Sequence, residues 1–212
     1  MIETGTVVAV LAIVGCYLVG GIPVGILIAR SRGVDLRKVG SGNIGATNLF
    51  RALGVRYGLL GFALDTLKGF APAMVAGAVL QLSGWALGAA AFAIVVGHCY
   101  SPYLRFAGGK GVATSLGIAL ALYWPAGAFP LGLWILITAV TRYVSLGSVI
   151  ALPSAVVLAA ALGAPGPLVA AMGGAAVLCV TRHVENLERL LKGTESRFGS
   201  KKPAPTEEGG TP

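Results

Sequence analysis

Three glycine-rich, basic segments hold most of the side chains that could do chemistry in this chain. The middle segment, residues 97–114, reads GHCYSPYLRFAGGKGVAT and includes His98 and Lys110. The others are GSGNIGATNLFR at 40–51 and RHVENLERLLKGTE at 182–195. Glycine lets backbone N–H groups approach an anion, and lysine and arginine neutralise its charge. The segments therefore indicate chemistry on phosphate groups.

The first segment combines backbone freedom with hydrogen-bond donors. Three glycines and four neutral polar side chains fall within nine residues, and Arg51 adds a planar guanidinium that matches a phosphate. A turn in which Ser41 or Thr47 caps a helix is the alternative. Such a turn does not require so many glycines and donors, so the pattern favours an anion site. The phosphate-binding residues expected here are Ser41, Gly42, Asn43, Gly45, Thr47, Asn48 and Arg51.

The second segment contains AGGKG, which is not a nucleotide-binding loop. Lys110 is followed by glycine where a Walker A loop has serine or threonine, so we expect no nucleotide substrate. Backbone N–H groups that open a helix near Gly111, with Lys110 beside them, make an anion site instead. The phosphate-binding residues expected here are Gly108, Gly109, Lys110 and Gly111, with Arg105 as a secondary candidate.

The third segment places His183 and Asn186 at i, i+3 spacing on one face of a helix. An H-x4-D acyltransferase dyad is not supported, because the position that would be aspartate is Glu188. Two serines of the loop TRYVSLGS, Ser145 and Ser148, are expected on the same membrane face, with helix capping as their alternative role.

Two charged residues and a histidine lie in or beside apolar runs. Asp65 and Lys68 share a helix face, and an unpaired charge in a bilayer is costly, so we expect them to point inward and pair. A substrate contact by Lys68 stays open as a secondary role. His98 lies at a helix end, where a hydrogen-bonded structural histidine is favoured over a reactive one.

The composition places the chain in a membrane. Of its 212 residues, 56% are hydrophobic and 11% are charged, against about 25% charged in soluble proteins. Apolar runs fall at 5–29, 57–80, 85–100, 111–123, 126–141, 146–163 and 166–181. Open strands would leave backbone groups unpaired in lipid, so these runs must be helices. We predict an all-α polytopic membrane protein with about seven transmembrane helices, two of them short.

The basic residues are distributed asymmetrically between the loops. With alternating loops, every lysine and arginine of the loops and the tail falls on one side of the membrane, and that side is cytoplasmic by the positive-inside rule. We therefore predict an N-terminus outside, a cytoplasmic C-terminus and all three segments on the cytoplasmic face. Residues 1–196 are expected to form one transmembrane domain, and residues 197–212 a disordered cytoplasmic tail.

The net charge of +8 does not indicate nucleic acid, because the basic residues lie in short loops between apolar runs and in the C-terminal tail and form no aromatic-interleaved basic surface. The lipid bilayer and phosphorylated substrates are better partners. Acidic residues are too few and scattered for a metal site. A membrane carrier or flippase for a phosphorylated solute is the alternative to an enzyme, although no inverted repeat is evident.

Four motifs resemble, in order along the chain, the signatures of the bacterial membrane acyl-phosphate:glycerol-3-phosphate acyltransferases, the PlsY type. They are GSGNIGATN, D-x-x-K-G at 65–69, GH…FAGGKGVAT and RH-x-x-N…R-L-x-x-G-x-E. The resemblance covers most of residues 1–197. It implies a seven-helix enzyme of the bacterial plasma (inner) membrane, with its active site on the cytoplasmic face. Such an enzyme transfers a fatty acyl group from acyl phosphate to the 1-hydroxyl of glycerol-3-phosphate, giving lysophosphatidic acid.

The resemblance also implies roles for individual residues. These are Ser41 and Asn43 for one phosphate, Arg51 and Lys110 for the phosphate of glycerol-3-phosphate, and Ser148, His183 and Asn186 as the catalytic residues. Secondary candidates are Lys68, His98, Arg105, Ser145 and Glu195. Acyl phosphate is already an activated anhydride, so no cofactor is needed, and we expect a monomer. The proton of the attacking hydroxyl goes either to a substrate phosphate, the route we favour, or to His183.

Overall fold

The apolar runs form helices, which satisfy their backbone hydrogen bonds without water. The computed structural model describes residues 4–199, and the predicted tail from residue 200 onward lies outside them. The α-helices are α1 (Thr4–Gly21), α2 (Val24–Arg30), α3 (Ala46–Leu53), α4 (Val55–Met74), α5 (Gly84–Cys99), α6 (Val112–Leu122), α7 (Pro125–Thr141), α8 (Val144–Ala161), α9 (Gly166–Thr181) and α10 (Val184–Leu191). A π-helical turn, Val75–Val79, extends α4, and 3₁₀ turns cover Leu36–Lys38 and Pro102–Leu104.

Four helical stretches among residues 4–199 are long and apolar enough to cross a membrane: Thr4–Arg30, Val55–Val79, Gly84–Leu104 and Val144–Ala161. The pair α9 and α10, bent by 54°, can supply a fifth. Helices α6 and α7 have 11 and 17 residues, fewer than the roughly 20 of a full crossing, and they are the two runs predicted to be short. The all-α membrane fold is confirmed. The number of crossings, about seven by sequence, and the sides of the termini stay predictions.

Glycine lets two helix pairs pack with their backbones in contact. Between α1 and α5, Gly20 lies so close to the Ile94 carbonyl that a side chain would overlap it. Between α4 and α6, Gly69 meets the Thr114 carbonyl in the same way. Small residues at such crossings suit helix packing in lipid. As a result α6, which begins just after Lys110, is held firmly against α4.

A separate apolar cluster lies under the first glycine-rich segment. Its buried members are Ile26, Ala29, Leu36, Ile44 and Leu49. They come from α2, the segment before α3 and α3 itself, so burying them ties these parts together. The polar residues of the segment are thereby carried on a supported loop.

The intramembrane charges predicted to pair do so. Lys68 Nζ lies 2.9 Å from Asp65 Oδ1, with both side chains buried. It also donates to the Ile22 carbonyl at 2.8 Å, where α1 ends before α2. His98 is buried, and its Nδ1 lies 3.1 Å from Thr114 Oγ1 and 3.8 Å from Asp65 Oδ1. Lys68 and His98 therefore have structural contacts that link α4 to the α1–α2 junction and α5 to α6.

Candidate active site

The three glycine-rich, basic segments meet in one polar cavity of about 780 Å³. The predicted residues that line it are Ser41, Asn43, Gly45, Thr47, Asn48, Arg51, His98, Lys110, Gly111, Ser145, Ser148, His183, Asn186 and Glu195. The predicted residues outside the lining are Gly42, Lys68, Arg105, Gly108 and Gly109. Arg105 is exposed in a left-handed turn, so the structure does not bring this secondary candidate into the site.

Asn48 organises the first segment from the inside. Its side chain is 1% exposed, and its Nδ2 lies 2.8–3.0 Å from the carbonyl oxygens of Leu36, Val39 and Asn43. Its Oδ1 accepts the Ser41 N–H at 3.0 Å. Because both ends of the amide are used on the backbone, Asn48 shapes the loop instead of binding phosphate, the role predicted for it.

The loop that Asn48 closes requires glycine. Gly40 and Gly42 have φ of +58° and +70°, values that other residues rarely adopt. Just before α3, Asn43 Oδ1 accepts the Gly45 N–H at 2.9 Å. Gly42 therefore contributes to the shape of the loop, whereas Ser41 and Thr47 present their side chains along the cavity wall.

Four helices begin at the cavity wall. First-turn residues that line it are Ala46 and Thr47 of α3, Val112 and Ala113 of α6, Val144 and Ser145 of α8, and Asn186 of α10. The first N–H groups of a helix have no acceptor within it, and the helix dipole places about half a positive charge at this end. The helix start after Gly111, where an anion site is predicted, is thus one of four helix starts that converge on the same space.

Lys110 belongs to a chain of partly buried hydrogen bonds. Its Nζ donates to Asn186 Oδ1, and Asn186 Nδ2 donates to Glu195 Oε1 at 2.6 Å. Glu195 also accepts from Ser145 Oγ at 2.8 Å and from Arg189 Nε at 2.7 Å. Its side chain is only 6% exposed. Glu195, a secondary candidate by sequence, is therefore the anionic centre that holds the Lys110–Asn186 pair and Ser145 in place.

Burial in the cavity disfavours the charged forms of Lys110 and Arg51. Burial lowers the pKa of Lys110 to about 8, and attraction to Glu195 offsets only part of this effect. Burial also lowers the pKa of Arg51. Burial raises the pKa of Glu195, but the hydrogen bonds that it accepts outweigh burial and leave its pKa below the usual value. A phosphate placed between Lys110 and Arg51 would stabilise both in their charged forms.

Gly108 and Gly109 hold the Lys110 loop through their backbones. Their N–H groups donate to the carbonyls of Cys99 and His98 at 3.1 and 3.0 Å. Their own carbonyls accept from Arg182, from Nη2 at 3.0 Å and from Nε at 3.2 Å. With both N–H groups used in this way, these glycines do not donate to a phosphate as the sequence predicted, and they fix the loop from which Lys110 extends.

His183 has a defined ring orientation. Its Nδ1 lies 2.7 Å from the Cys179 carbonyl oxygen. A carbonyl only accepts, so Nδ1 carries the hydrogen and Nε2 of the neutral ring is left as an acceptor. The side chain is buried at the cavity wall. This geometry suits a proton acceptor.

Sequence reasoning missed several residues that contribute to the site, among them Trp134 and Arg182. Trp134 donates from Nε1 to Ser148 Oγ at 3.2 Å, and Arg182 anchors the loop before Lys110. The signal for Trp134 was a polar N–H in an apolar helix, which must find a partner. Arg182 stands next to His183 in the third segment, and its basic side chain beside a candidate site residue was the available signal.

An apolar groove continues from the polar cavity. Phe62, Val112 and Trp134 line both spaces. Further along, the lining is small or aliphatic and includes Ala119, Pro130, Ala155, Leu168 and Met172. No residue of this groove was predicted as a site residue. A molecule with a charged head and a long apolar tail would match the two spaces together.

The residues after Glu195 pack beside the cavity. Phe198 stacks on Phe50 with ring centroids 4.4 Å apart, and the Arg142 guanidinium donates to the Phe198 carbonyl at 2.9 Å. Ser196 and Gly199 line the cavity. Residues 197–199, predicted to begin the tail, therefore contact the α3 helix and the α7–α8 turn.

Relatives of known name share most of this chain. Residues 10–193 match the model of the glycerol-3-phosphate acyltransferase family. A glycerol-3-phosphate acyltransferase of Thermus thermophilus is 48% identical over 198 residues, which cover 91% of this chain and 96% of that protein. One from Aquifex aeolicus is 44% identical over 190 residues, covering 90% and 99%.

Two solved structures share the fold. A crystal structure of PlsY (YgiH), an integral membrane glycerol 3-phosphate acyltransferase, in its glycerol 3-phosphate form has a TM-score of 0.87 and 44% identity, covering 90% of this chain and 96% of that chain. A second PlsY structure, the lysophosphatidic acid form, has a TM-score of 0.85 and 42% identity, covering 90% and 95%. This chain belongs to the glycerol-3-phosphate acyltransferase family, as its motifs predicted.

Proposed function

We propose that this protein transfers a fatty acyl group from acyl phosphate to the 1-hydroxyl of glycerol-3-phosphate, giving lysophosphatidic acid and inorganic phosphate. The observation that carries the proposal is the junction of a cationic cavity with an apolar groove at Phe62, Val112 and Trp134. Membership of the family, and the solved relatives in glycerol 3-phosphate and lysophosphatidic acid forms, support the acceptor and the product. An enzyme is thereby favoured over the carrier considered from sequence.

The cavity must hold two phosphate groups, because the donor and the acceptor each bring one. We assign the phosphate of glycerol-3-phosphate to Arg51 and Lys110. The phosphate of the donor is assigned to the loop of Ser41 and Asn43 and to the start of α3. Hydrogen bonds to charged groups contribute about 1.5–3 kcal/mol each, so a few of them suffice to position both reactants.

The acyl chain is assigned to the apolar groove. Burial of each CH₂ group contributes roughly 0.8 kcal/mol, so the chain gives most of the affinity for the donor. With the chain in the groove and the phosphate in the cavity, the acyl carbonyl lies at the junction. This is where a hydroxyl held beside Lys110 can reach it.

The transfer exchanges one carbon–oxygen bond for another. The 1-hydroxyl oxygen attacks the acyl carbon, the ester bond forms, and the bond from the acyl carbon to the phosphate oxygen breaks. The donor is a mixed anhydride, so its activation is already complete and the reaction requires no cofactor. Lys110, Arg51 and the converging helix ends supply the positive field in which two anions come together.

The proton of the attacking hydroxyl is transferred to the departing phosphate, which leaves as hydrogen phosphate. His183 is the second candidate for the acceptor, because its Nε2 is free while Nδ1 is bonded to the Cys179 carbonyl. Asn186 has both ends of its amide engaged by Lys110 and Glu195. We therefore assign Asn186 to positioning Lys110, although the resemblance had implied a catalytic role for it.

The place of the reaction follows from the distribution of charge. Among the loops, lysine and arginine are confined to one set, which supports a cytoplasmic active site in a bacterial plasma (inner) membrane with the N-terminus outside. We propose a monomer as the working unit.

The test is a turnover assay on the purified protein in detergent. Palmitoyl phosphate and glycerol-3-phosphate should give lysophosphatidic acid, measured by mass spectrometry, whereas palmitoyl coenzyme A as donor should give none. Lys110→Ala should abolish turnover without unfolding the protein, and Lys192→Ala, which removes an exposed lysine, should leave turnover unchanged. Absence of product from acyl phosphate with the wild-type protein would overturn the proposal.

A further inference from the structure

Trp134 stands where the head and the tail of the proposed donor meet. Its side chain lines both the polar cavity and the apolar groove. Its ring stacks on Phe62 with centroids 6.2 Å apart and planes at 16°. On the other side, Gly147 lies so close that a Cβ there would come within 3.1 Å of Trp134 Cδ1. The indole is therefore fixed in place between α4 and α8.

The indole N–H restricts what Ser148 can do. A serine hydroxyl has one hydrogen to donate and two lone pairs. Ser148 Oγ donates to the Val144 carbonyl at 2.9 Å and accepts from Trp134 Nε1 at 3.2 Å. Both partners are committed, since a carbonyl can only accept and an indole N–H can only donate. For a further hydrogen bond, Ser148 Oγ has only one lone pair left, so it can accept but not donate.

A group that can only accept cannot bind a phosphate oxygen or an acyl carbonyl, which also only accept. The hydroxyls of glycerol-3-phosphate are the donors that the substrates bring. The 1-hydroxyl must give up its proton during the reaction, whereas the 2-hydroxyl keeps its own. The hydroxyl that can stay bonded to Ser148 throughout is therefore the 2-hydroxyl.

We propose that Trp134 is a positioning residue that fixes the Ser148 hydroxyl as an acceptor for the 2-hydroxyl of glycerol-3-phosphate. This contact turns the glycerol so that its 1-hydroxyl faces the acyl carbonyl at the junction. The inference rests on the proposed function and adds specificity for the acceptor. Sites that are built to bond a hydroxyl discriminate against analogues that lack it.

The experiment compares two acceptors with palmitoyl phosphate as donor. One is glycerol-3-phosphate, and the other is 3-hydroxypropyl phosphate, which has the same phosphate and primary hydroxyl but no 2-hydroxyl. Trp134→Phe keeps an aromatic ring and removes the N–H. We expect it to lower kcat/KM for glycerol-3-phosphate about tenfold more than kcat/KM for the analogue. Ser148→Ala should show the same selective loss, and the double variant should be no worse than Ser148→Ala.

Trp124→Phe is the matched control, because Trp124 is 69% exposed and lies at the start of α7, away from the cavity lining. It should change neither value. Equal losses for both acceptors in Trp134→Phe would show a packing role and overturn the inference, as would a wild-type protein that does not distinguish the acceptors. Either result would leave the proposed function intact, whereas an inactive wild-type protein would overturn both.

Discussion

Asn186 donates a hydrogen bond from Nδ2 to Oε1 of Glu195 over 2.6 Å. An amide has one donating and one accepting end, so this bond decides which end faces Lys110. The Asn186 oxygen is turned to the lysine and accepts from its ammonium. Lys110 is thus positioned by a carboxylate that acts on it through an amide.

Replacing Glu195 with glutamine tests this arrangement. Glutamine keeps one accepting oxygen, but its NH₂ end must face either Arg189 or the pair Ser145 and Asn186 without accepting their hydrogen bonds, and the negative charge is lost. We expect the free energy of unfolding to fall by about 2–4 kcal/mol. We also expect kcat/KM for glycerol-3-phosphate to fall at least about tenfold, because Lys110 loses its orientation. Thermal unfolding in detergent and steady-state kinetics measure the two effects.

Glu188→Gln provides the comparison for Glu195→Gln. Glu188 belongs to the same segment but lies outside the cavity lining, so its replacement should be neutral in both measurements. If the two variants behave alike, Glu195 is not the anionic centre of the site.

The helices and the site segments were predictable because their signals are local. Each apolar run lies mostly within a helix, and the clustering of glycine with Lys110 or Arg51 marked segments that do meet in the cavity. The pairing of Asp65 with Lys68 followed from the cost of a lone charge in lipid. Each of these inferences uses residues that are close in sequence.

The roles within the site depend on contacts between distant residues. Asn43 and Asn48 look equivalent in GSGNIGATN. Of the two, only Asn48 is buried, with its side-chain amide hydrogen-bonded to the backbone of the loop. Glu195 meets Ser145 across 50 positions of sequence. The groove beyond Trp134 is made of ordinary apolar side chains, and nothing in their types separates them from those that pack helices together. Such roles arise from packing and are not visible in a single sequence.

The buried amide of Asn48 predicts a specific loss of stability. In Asn48→Leu the carbonyls that it serves would lose their donor, and buried unsatisfied groups cost about 1–3 kcal/mol each. We expect the free energy of unfolding to fall by roughly 2–4 kcal/mol and the loop of Ser41 to lose its shape, so that turnover is lost as well. Differential scanning fluorimetry and the lysophosphatidic acid assay measure these changes.

Asn48→Asp distinguishes the role of the donating NH₂ from that of the accepting oxygen of the Asn48 amide. Aspartate can still accept the Ser41 N–H, but it cannot donate to the carbonyls of Leu36, Val39 and Asn43. We expect it to be nearly as destabilising as leucine. Ser31→Ala, at an exposed serine outside the cavity, should be close to neutral. A stable and active Asn48→Asp protein would show that the donor end is dispensable.

The lowered pKa of Lys110 predicts an alkaline limit for binding of glycerol-3-phosphate. The ammonium form binds the phosphate, and in the free protein this form is present below a pKa of about 8 and lost above it. We therefore expect kcat/KM for glycerol-3-phosphate to fall about tenfold per pH unit above this value. A bound phosphate stabilises the charged form, so the decline in kcat should begin at higher pH.

Lys110→Arg distinguishes this titration from other effects of base. A guanidinium stays charged throughout the range, so the variant should be weaker overall but should lose the alkaline decline. The spontaneous hydrolysis of acyl phosphate is subtracted with a sample that contains no protein. An unchanged alkaline limit in Lys110→Arg would assign it to another group.

His183→Gln decides where the proton of the attacking hydroxyl goes. If the departing phosphate takes it, the variant loses only the contacts of the ring, and kcat should fall by less than about a hundredfold. If His183 Nε2 is the base, the loss should reach about 10²–10⁴-fold, and a loss of several orders of magnitude would exclude the phosphate route. His98→Gln is the natural comparison, because it removes the other histidine of the cavity. His98 is hydrogen-bonded to Thr114 and takes no part in proton transfer in either scheme. Unfolding temperatures of both variants separate a damaged fold from a damaged reaction, and a loss in kcat of more than about a hundredfold in His183→Gln alone would identify His183 as the base.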